Sequence, residues 1–210
     1  MSSQGGDSQP SQDSTMTLMQ EDLSEVLYFA YGSNLSTRQM RQRCPHSTPV
    51  GLAYLKGWKW IINDRGYANI VQLPVDSDDE ENTPDAEDRQ LPSTKGKEKE
   101  KEKEKEKEKD IPEQGVYGLL YLVPLADEER LDGYEGVPWA YQKFRVDVKW
   151  ADETLRALVY VDEMNVEENV PREEYIGRME EGIKDAMKNH GLDMDYANRV
   201  MRRFWVEEEE

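Results

Sequence analysis

Glu135 lies in the stretch LDGYEGVPWAY, between Gly133-Tyr134 and Gly136-Val137, with Trp139 and Tyr141 close behind. A carboxylate packed among aromatics loses hydration, and its pKa rises toward neutrality. Such a group can take a proton and return it. The same residues also fit a plain turn acid beside Gly136. Asp132 is a competing candidate, or it simply closes the preceding helix. A second stretch, YFAYGSN at 28–34, runs aromatics straight into Gly-Ser-Asn. It reads as a buried strand ended by a turn. Main-chain N–H groups there can cradle an anion at the edge of a core. Gly32 has no Cβ to hold a ligand away from that backbone.

Other chemistries have little support. The chain has two histidines: His46 follows a proline, and His190 sits near the end of a helical pattern, where a cation favours the helix dipole. Cys44, the single cysteine, ends a polar stretch without an activating base and excludes an intrachain disulfide. No HExxH, CxxC or carboxylate cluster with metal spacing occurs, so no metal site is expected. AYGSN is not the G-x-S-x-G elbow, and no histidine is placed for Ser33.

The elements that must position these residues follow from pattern. Residues 26–31 have strand length and end at Gly32; Ser33 or Asn34 can cap a short helix that Pro45 stops. Residues 50–64 read as two strands about Gly57, and 67–73 as another, with DRG forming a tight turn between them. A buried strand is expected at 114–123 and a short helix at 125–136, running out at Gly133. From Phe144 to Trp150 apolar and polar residues alternate strictly, the mark of a half-buried strand, with 154–162 as its hairpin partner. After Pro171, residues Tyr175, Ile176, Met179, Ile183 and Met187 recur at helical spacing until Gly191. A last helix covers about 193–205. Seven or so strands with prominent antiparallel hairpins and helices at the ends imply an α+β domain with a curled, barrel-like sheet and peripheral helices.

Composition sets the limits of that domain. Of 210 residues, 34% are charged and 36% hydrophobic, and the net charge is −18. The shortfall in apolar residues is concentrated. Residues 1–25 are Ser/Gln/Gly-rich, and residues 76–110 are acidic and then an alternation of Lys and Glu. Neither can bury enough surface to offset its ordering entropy, so both are expected to be disordered. Residues 26–210 then form one domain interrupted by a charged insert. Closure entropy grows only logarithmically with loop length, so strands on either side of the insert can still be neighbours. No run of about 18 apolar residues exists to span a membrane, and no signal peptide is visible. A cytoplasmic protein is expected. The acidic balance argues against a nucleic-acid partner. Oligomeric state, monomer or homodimer, is left open.

YFAYGSNL near the start and LDGYEGV about a hundred residues later, with VYGLLYLV just before it, resemble the γ-glutamylcyclotransferase family. RQRCP after the glycine turn, ANIV before the insert and Tyr141 opening a strand also fit. The resemblance covers about 26–73 and 114–177. It implies conversion of a γ-glutamyl amino acid to 5-oxoproline with release of the amino acid, without a cofactor. Tyr28, Phe29, Ala30, Tyr31, Gly32 and Ser33, with Asn34 adjoining, match the family's glutamyl-binding segment. Glu135 matches the acid/base of its E-G-V motif, and Tyr175 a substrate-contacting tyrosine. A γ-glutamyl amine or glutathione is an alternative substrate; the glutathione-specific branch usually carries a Y-G-S-L type turn. A catalytically idle binding relative is a further alternative, against which the retained Glu135 argues. The tail and the insert have no counterpart in the family.

Overall fold

The computed structural model describes residues 25–74 and 115–205. The expected tail (apart from Glu25) and the charged insert lie outside the described residues. Among the described residues there are seven strands: β1 (Glu25–Ala30), β2 (Thr48–Lys56), β3 (Trp58–Ile62), β4 (Ala68–Gln72), β5 (Gly115–Pro124), β6 (Gln142–Trp150) and β7 (Glu153–Val161). Five close into a barrel in the order β1-β5-β2-β6-β7, and β3 and β4 form a separate two-stranded sheet. The α+β fold with a barrel-like sheet is therefore the architecture of the chain.

β5 is almost continuously apolar and almost continuously buried: it has a strand on each edge, and β3, the helix over 125–135 and the turn over 33–35 pack against it. It pairs antiparallel with β1, Tyr28 opposite Tyr121, and with β2, Leu52 opposite Leu119. β6 and β7 form the expected hairpin, Phe144 opposite Val159, with Val146 and Val148 buried and Arg145 and Asp147 exposed. A parallel bridge between Tyr28 and Leu158 closes the barrel. The strands flanking the insert do not pair: β4 joins β3, whereas β5 joins β1 and β2.

Three helices lie against this frame: α1 (Thr37–Arg43), α2 (Leu125–Glu135) and α3 (Glu173–His190). α2 runs two residues past the expected stop at Gly133. Gly136 adopts the left-handed conformation that ends it, with Gly136 N–H donating to Gly133 O and Val137 N–H to Asp132 O. α3 buries Tyr175, Met179, Gly182, Ile183 and Ala186. Gly182 permits its closest approach, since a Cβ there would stand 3.0 Å from Leu35 Cβ and 3.1 Å from Ser36 N. The N-cap of α1 is Ser36, which accepts the Gln39 N–H at 3.2 Å, rather than Ser33 or Asn34, and Asp185 helps to cap the helix by accepting the Thr37 N–H at 2.7 Å. The helix expected over 193–205 is present as one continuous helical run over 194–204, which passes from α through π to 3₁₀ hydrogen bonding. It is held at both ends. Tyr196 Oη accepts the Tyr117 N–H, and Glu180 accepts from Arg202 and Trp205. No helix among the described residues is long and apolar enough to cross a membrane.

The barrel wall is tight at Gly118, where an added Cβ would lie 2.6 Å from Phe29 Cζ and 2.8 Å from Ala30 O. Gly118→Ala is expected to destabilise the fold by about 1–3 kcal/mol through overpacking. The check is a lower urea midpoint with an unchanged slope.

Candidate active site

β1 ends at Ala30, and the chain turns through Gly32 into a three-residue 3₁₀ turn, Ser33–Leu35. The turn is closed by Leu35 N–H to Gly32 O at 2.9 Å and Ser36 N–H to Ser33 O at 3.1 Å. It borders a cavity of about 290 Å³. On the opposite side stands the C-terminus of α2, and the helix ends at Glu135 itself. A carboxylate at that end faces the negative pole of the helix dipole, which is unfavourable. Local stability gives no reason for an acid there, and the position therefore suggests a chemical role.

Asn34 joins the two sides. Its Nδ2 donates to Glu135 Oε1 at 3.0 Å and to Tyr28 Oη at 3.0 Å. Its Oδ1 accepts from Gln39 Nε2 at 2.9 Å and from Arg43 Nη1 at 3.0 Å. A guanidinium can only donate, so Arg43 fixes which way the Asn34 amide points. All four hydrogen-bonding positions of that amide are filled. The Asn34 carbonyl also accepts the Tyr121 hydroxyl at 2.9 Å.

Glu135 is 17% exposed and lies 3.6 Å from Arg43 Nη1. Burial raises its pKa from the ordinary value, and this outweighs the opposing effects of Arg43 and the Asn34 hydrogen bond. Its aromatic surroundings differ from expectation. Trp139 is 92% exposed and points away from the core. The rings that line the cavity with Glu135 are those of Tyr28, Tyr31, Tyr67, Tyr134, Tyr141, Tyr160 and Tyr175. Several are locked by hydrogen bonds: Tyr31 Oη donates to Tyr160 O at 2.6 Å and Tyr141 Oη to Ala68 O at 2.9 Å. Burial pushes the Tyr175 phenol up to about 12, so it remains a neutral donor at physiological pH.

Of the residues expected at the site, Tyr28, Tyr31, Gly32, Ser33, Asn34, Glu135 and Tyr175 line one cavity. Phe29 and Ala30 do not; both are fully buried in the barrel wall, where Phe29 faces Gly118. Alternation along a strand turns Phe29 away from Tyr28, and the backbone beyond Ala30 carries the turn. Asp132 is occupied elsewhere, accepting from Tyr160 Oη at 2.6 Å and Lys143 Nζ at 2.9 Å. Cys44 is buried with its thiol pushed up to about 11, the wrong direction for a nucleophile. No His, Cys, Asp or Glu cluster among the described residues could hold a metal ion.

Three arginines in the cavity, Arg43, Arg65 and Arg178, escaped the sequence reading. Arg178 could have been found, because it lies three residues after Tyr175 on the same face of α3. Its Nη2 is 3.4 Å from Ser33 Oγ, and its guanidinium stands 5.0 Å from the Tyr175 ring. Arg65 comes from the β3–β4 turn, where nothing in the local pattern marks it.

Comparison with known proteins agrees with this picture. Residues 115–200 match the AIG2-like family. No curated protein matches the chain. Among solved structures, one called gamma-glutamyl cyclotransferase matches with a TM-score of 0.59 at 20% identity, covering 89% of this chain and 90% of its own. A human protein described as uncharacterized matches at 0.60 and 20% identity, over 89% and 91%. YkqA from Bacillus subtilis matches at 0.58 and 17% identity, over 90% of this chain and 58% of its own. The chain thus has the γ-glutamyl cyclotransferase fold, and the family match supports the resemblance read from its motifs.

The raised pKa of Glu135 has a consequence for stability. The folded state holds the proton more tightly than the unfolded chain, so it binds more protons just above the ordinary value of 4.5. Stability therefore falls as pH rises from there to the folded pKa and then levels off. Glu135→Gln removes that decline. Urea midpoints measured across this range should give a parent-minus-variant difference that decreases with pH; a difference that rises would contradict the burial of a raised acid.

Proposed function

We propose that this protein is a γ-glutamylcyclotransferase acting on γ-glutamyl amino acids, with Glu135 as its acid and base. One observation carries the reading: a partly buried carboxyl of raised pKa is held 3.0 Å from the side chain of Asn34, in the turn that would bind the glutamyl group. The fold and the AIG2-like match support it. The mechanism needs no nucleophile from the protein. The substrate's own α-amine is tethered to its γ-carbonyl, and five-membered closure has a high effective molarity.

Ionised Glu135 takes a proton from the α-ammonium. The free amine attacks the γ-carbonyl carbon, forming the lactam C–N bond, and the carbonyl oxygen becomes an oxyanion. Main-chain N–H groups of the turn at Gly32 and Ser33 stabilise that charge, with the neutral Tyr175 phenol beside them. The tetrahedral carbon then expels the amide nitrogen, which receives the proton carried by Glu135. The ring nitrogen loses a second proton on its way to the lactam, and the released amine leaves as ammonium. Arg43, 3.6 Å from Glu135, favours the ionised form that starts the cycle. Asn34 keeps the carboxyl aimed across the cavity.

Glu135→Gln should lower 5-oxoproline release from γ-glutamyl-alanine by 100-fold or more, on the order of a general acid–base contribution, while substrate still binds. Near-normal turnover in that variant would end the assignment. Gly32→Ala tests the turn. A Cβ there would meet Tyr175 Oη at 3.0 Å and Ala68 Cβ at 3.3 Å. It should raise KM by displacing the phenol, and Tyr175→Phe added in the same chain should raise it little further. If KM is unchanged in Gly32→Ala, the turn only supports the fold.

A further inference from the structure

The chain has a net charge of −18, yet its cavity is lined by three guanidinium groups and one carboxylate. Each guanidinium has a carboxylate partner, Glu135, Asp162 or Glu174, yet three forks around one cavity still offer donors to a ligand with more than one acid. Arg43 is engaged with Glu135 and Asn34. Arg178 rests against Ser33 on the turn side and lies 3.6 Å from Glu174, and its buried Nε has no hydrogen-bond partner among the described residues. Arg65 stands near the loop that follows Glu135, donating to Ala140 O at 2.9 Å.

Resting on the cyclotransferase reading, we propose that Arg65 receives the carboxylate of the departing amino acid. The cavity thereby selects γ-glutamyl compounds whose released amine carries an acid. Arg178, against the turn, takes the carboxylate of the glutamyl group itself.

Arg65 is built for such a task. Its Nη1 also donates to Asp162 Oδ2 at 3.1 Å. Asp162 is a buried hub rather than a simple counter-ion. Its carboxylate accepts from Asn63 Nδ2 at 3.0 Å, from Asn165 Nδ2 at 2.9 Å and from the Met164 and Asn165 N–H groups at 3.1 Å. Its charge is thus shared among several donors. Asn69, in β4, brackets the Asp162 backbone: it donates to Asp162 O at 2.8 Å and accepts from Asp162 N–H at 3.0 Å. Two ring faces hold the guanidinium further, Tyr141 at 5.3 Å and Tyr67 at 5.9 Å. Nε and Nη2 make no hydrogen bond among the described residues, which leaves a fixed fork open to a carboxylate. Asp162 is a positioning residue in this scheme.

The test compares γ-glutamyl-alanine with γ-glutamyl-ethylamide, which differ only in the carboxylate of the released amine. The parent protein should favour the alanine compound by about ten- to a hundredfold in kcat/KM, the size of one charge-assisted hydrogen bond. Arg65→Gln should bring that ratio near unity. Arg178→Gln should depress both substrates alike and keep the ratio. The double variant Arg65→Gln/Asp162→Asn removes the stranded buried acid, and its ratio should match that of Arg65→Gln if folding is not the cause. A parent ratio near unity, or a ratio that survives Arg65→Gln, overturns the proposal and leaves the cyclotransferase reading intact. Absence of turnover on both compounds instead overturns the cyclotransferase reading. Calorimetric titration of the two compounds then decides on Arg65, and equal or absent binding overturns its role.

Discussion

The site depends on the orientation of one amide. Arg43 and Gln39 both donate to Asn34 Oδ1, so Asn34 must present its NH₂ to Tyr28 and Glu135. That amide joins the turn after the first barrel strand to the end of a helix a hundred residues later. A reversed amide would set a carbonyl oxygen against a carboxylate and leave a guanidinium facing an NH₂ group. The penalty for each such mismatch in a buried place is large enough to exclude it. Glu135 is thereby held without losing its raised pKa, because one neutral hydrogen bond and a cation at 3.6 Å do not outweigh burial.

Close approach of backbones makes this geometry available. Gly182 lets α3 press on the turn at Leu35 and Ser36, and Gly32 leaves room for the Tyr175 hydroxyl. Asp185 ties the same helix to the start of α1, and α1 carries Arg43 at its last turn. Thus a single helix sets the phenol, caps the helix that bears the arginine and supplies Arg178. The barrel contributes rigidity. β1 is bonded on both edges, by β5 and β7, and has no free edge along which to shift.

Much of this was legible in the residues. The strict alternation from Phe144 to Trp150 and the apolar run at 116–123 have periods that admit few readings, and both became barrel strands. The glycine turn and Glu135 were visible because their neighbours are unusual for a surface. What escaped depended on contacts distant in sequence. Arg65 is unremarkable in DRG until Asp162, almost a hundred residues on, fixes it. Trp139 was expected to cover Glu135, but exposure of a side chain is decided by the path of the 136–140 loop. Gly133 resembled a helix stop, yet Gly136 has the left-handed backbone that does the stopping. The final helix was legible from its pattern, but not the contacts that hold it, which come from β5 at Tyr196 and from α3 at Arg202.

The order of strands in the barrel interleaves the two described parts of the chain. β5, from the second part, lies between β1 and β2 of the first. The turn, Arg43 and Arg65 belong to residues 25–74, whereas Glu135, Tyr175 and Arg178 belong to residues 115–205. Neither part can close the sheet or assemble the cavity by itself. A chain severed between residues 74 and 115 would therefore yield two fragments that rebuild the barrel and its cavity only by knitting together, so that recovery of the folded sheet would report their association.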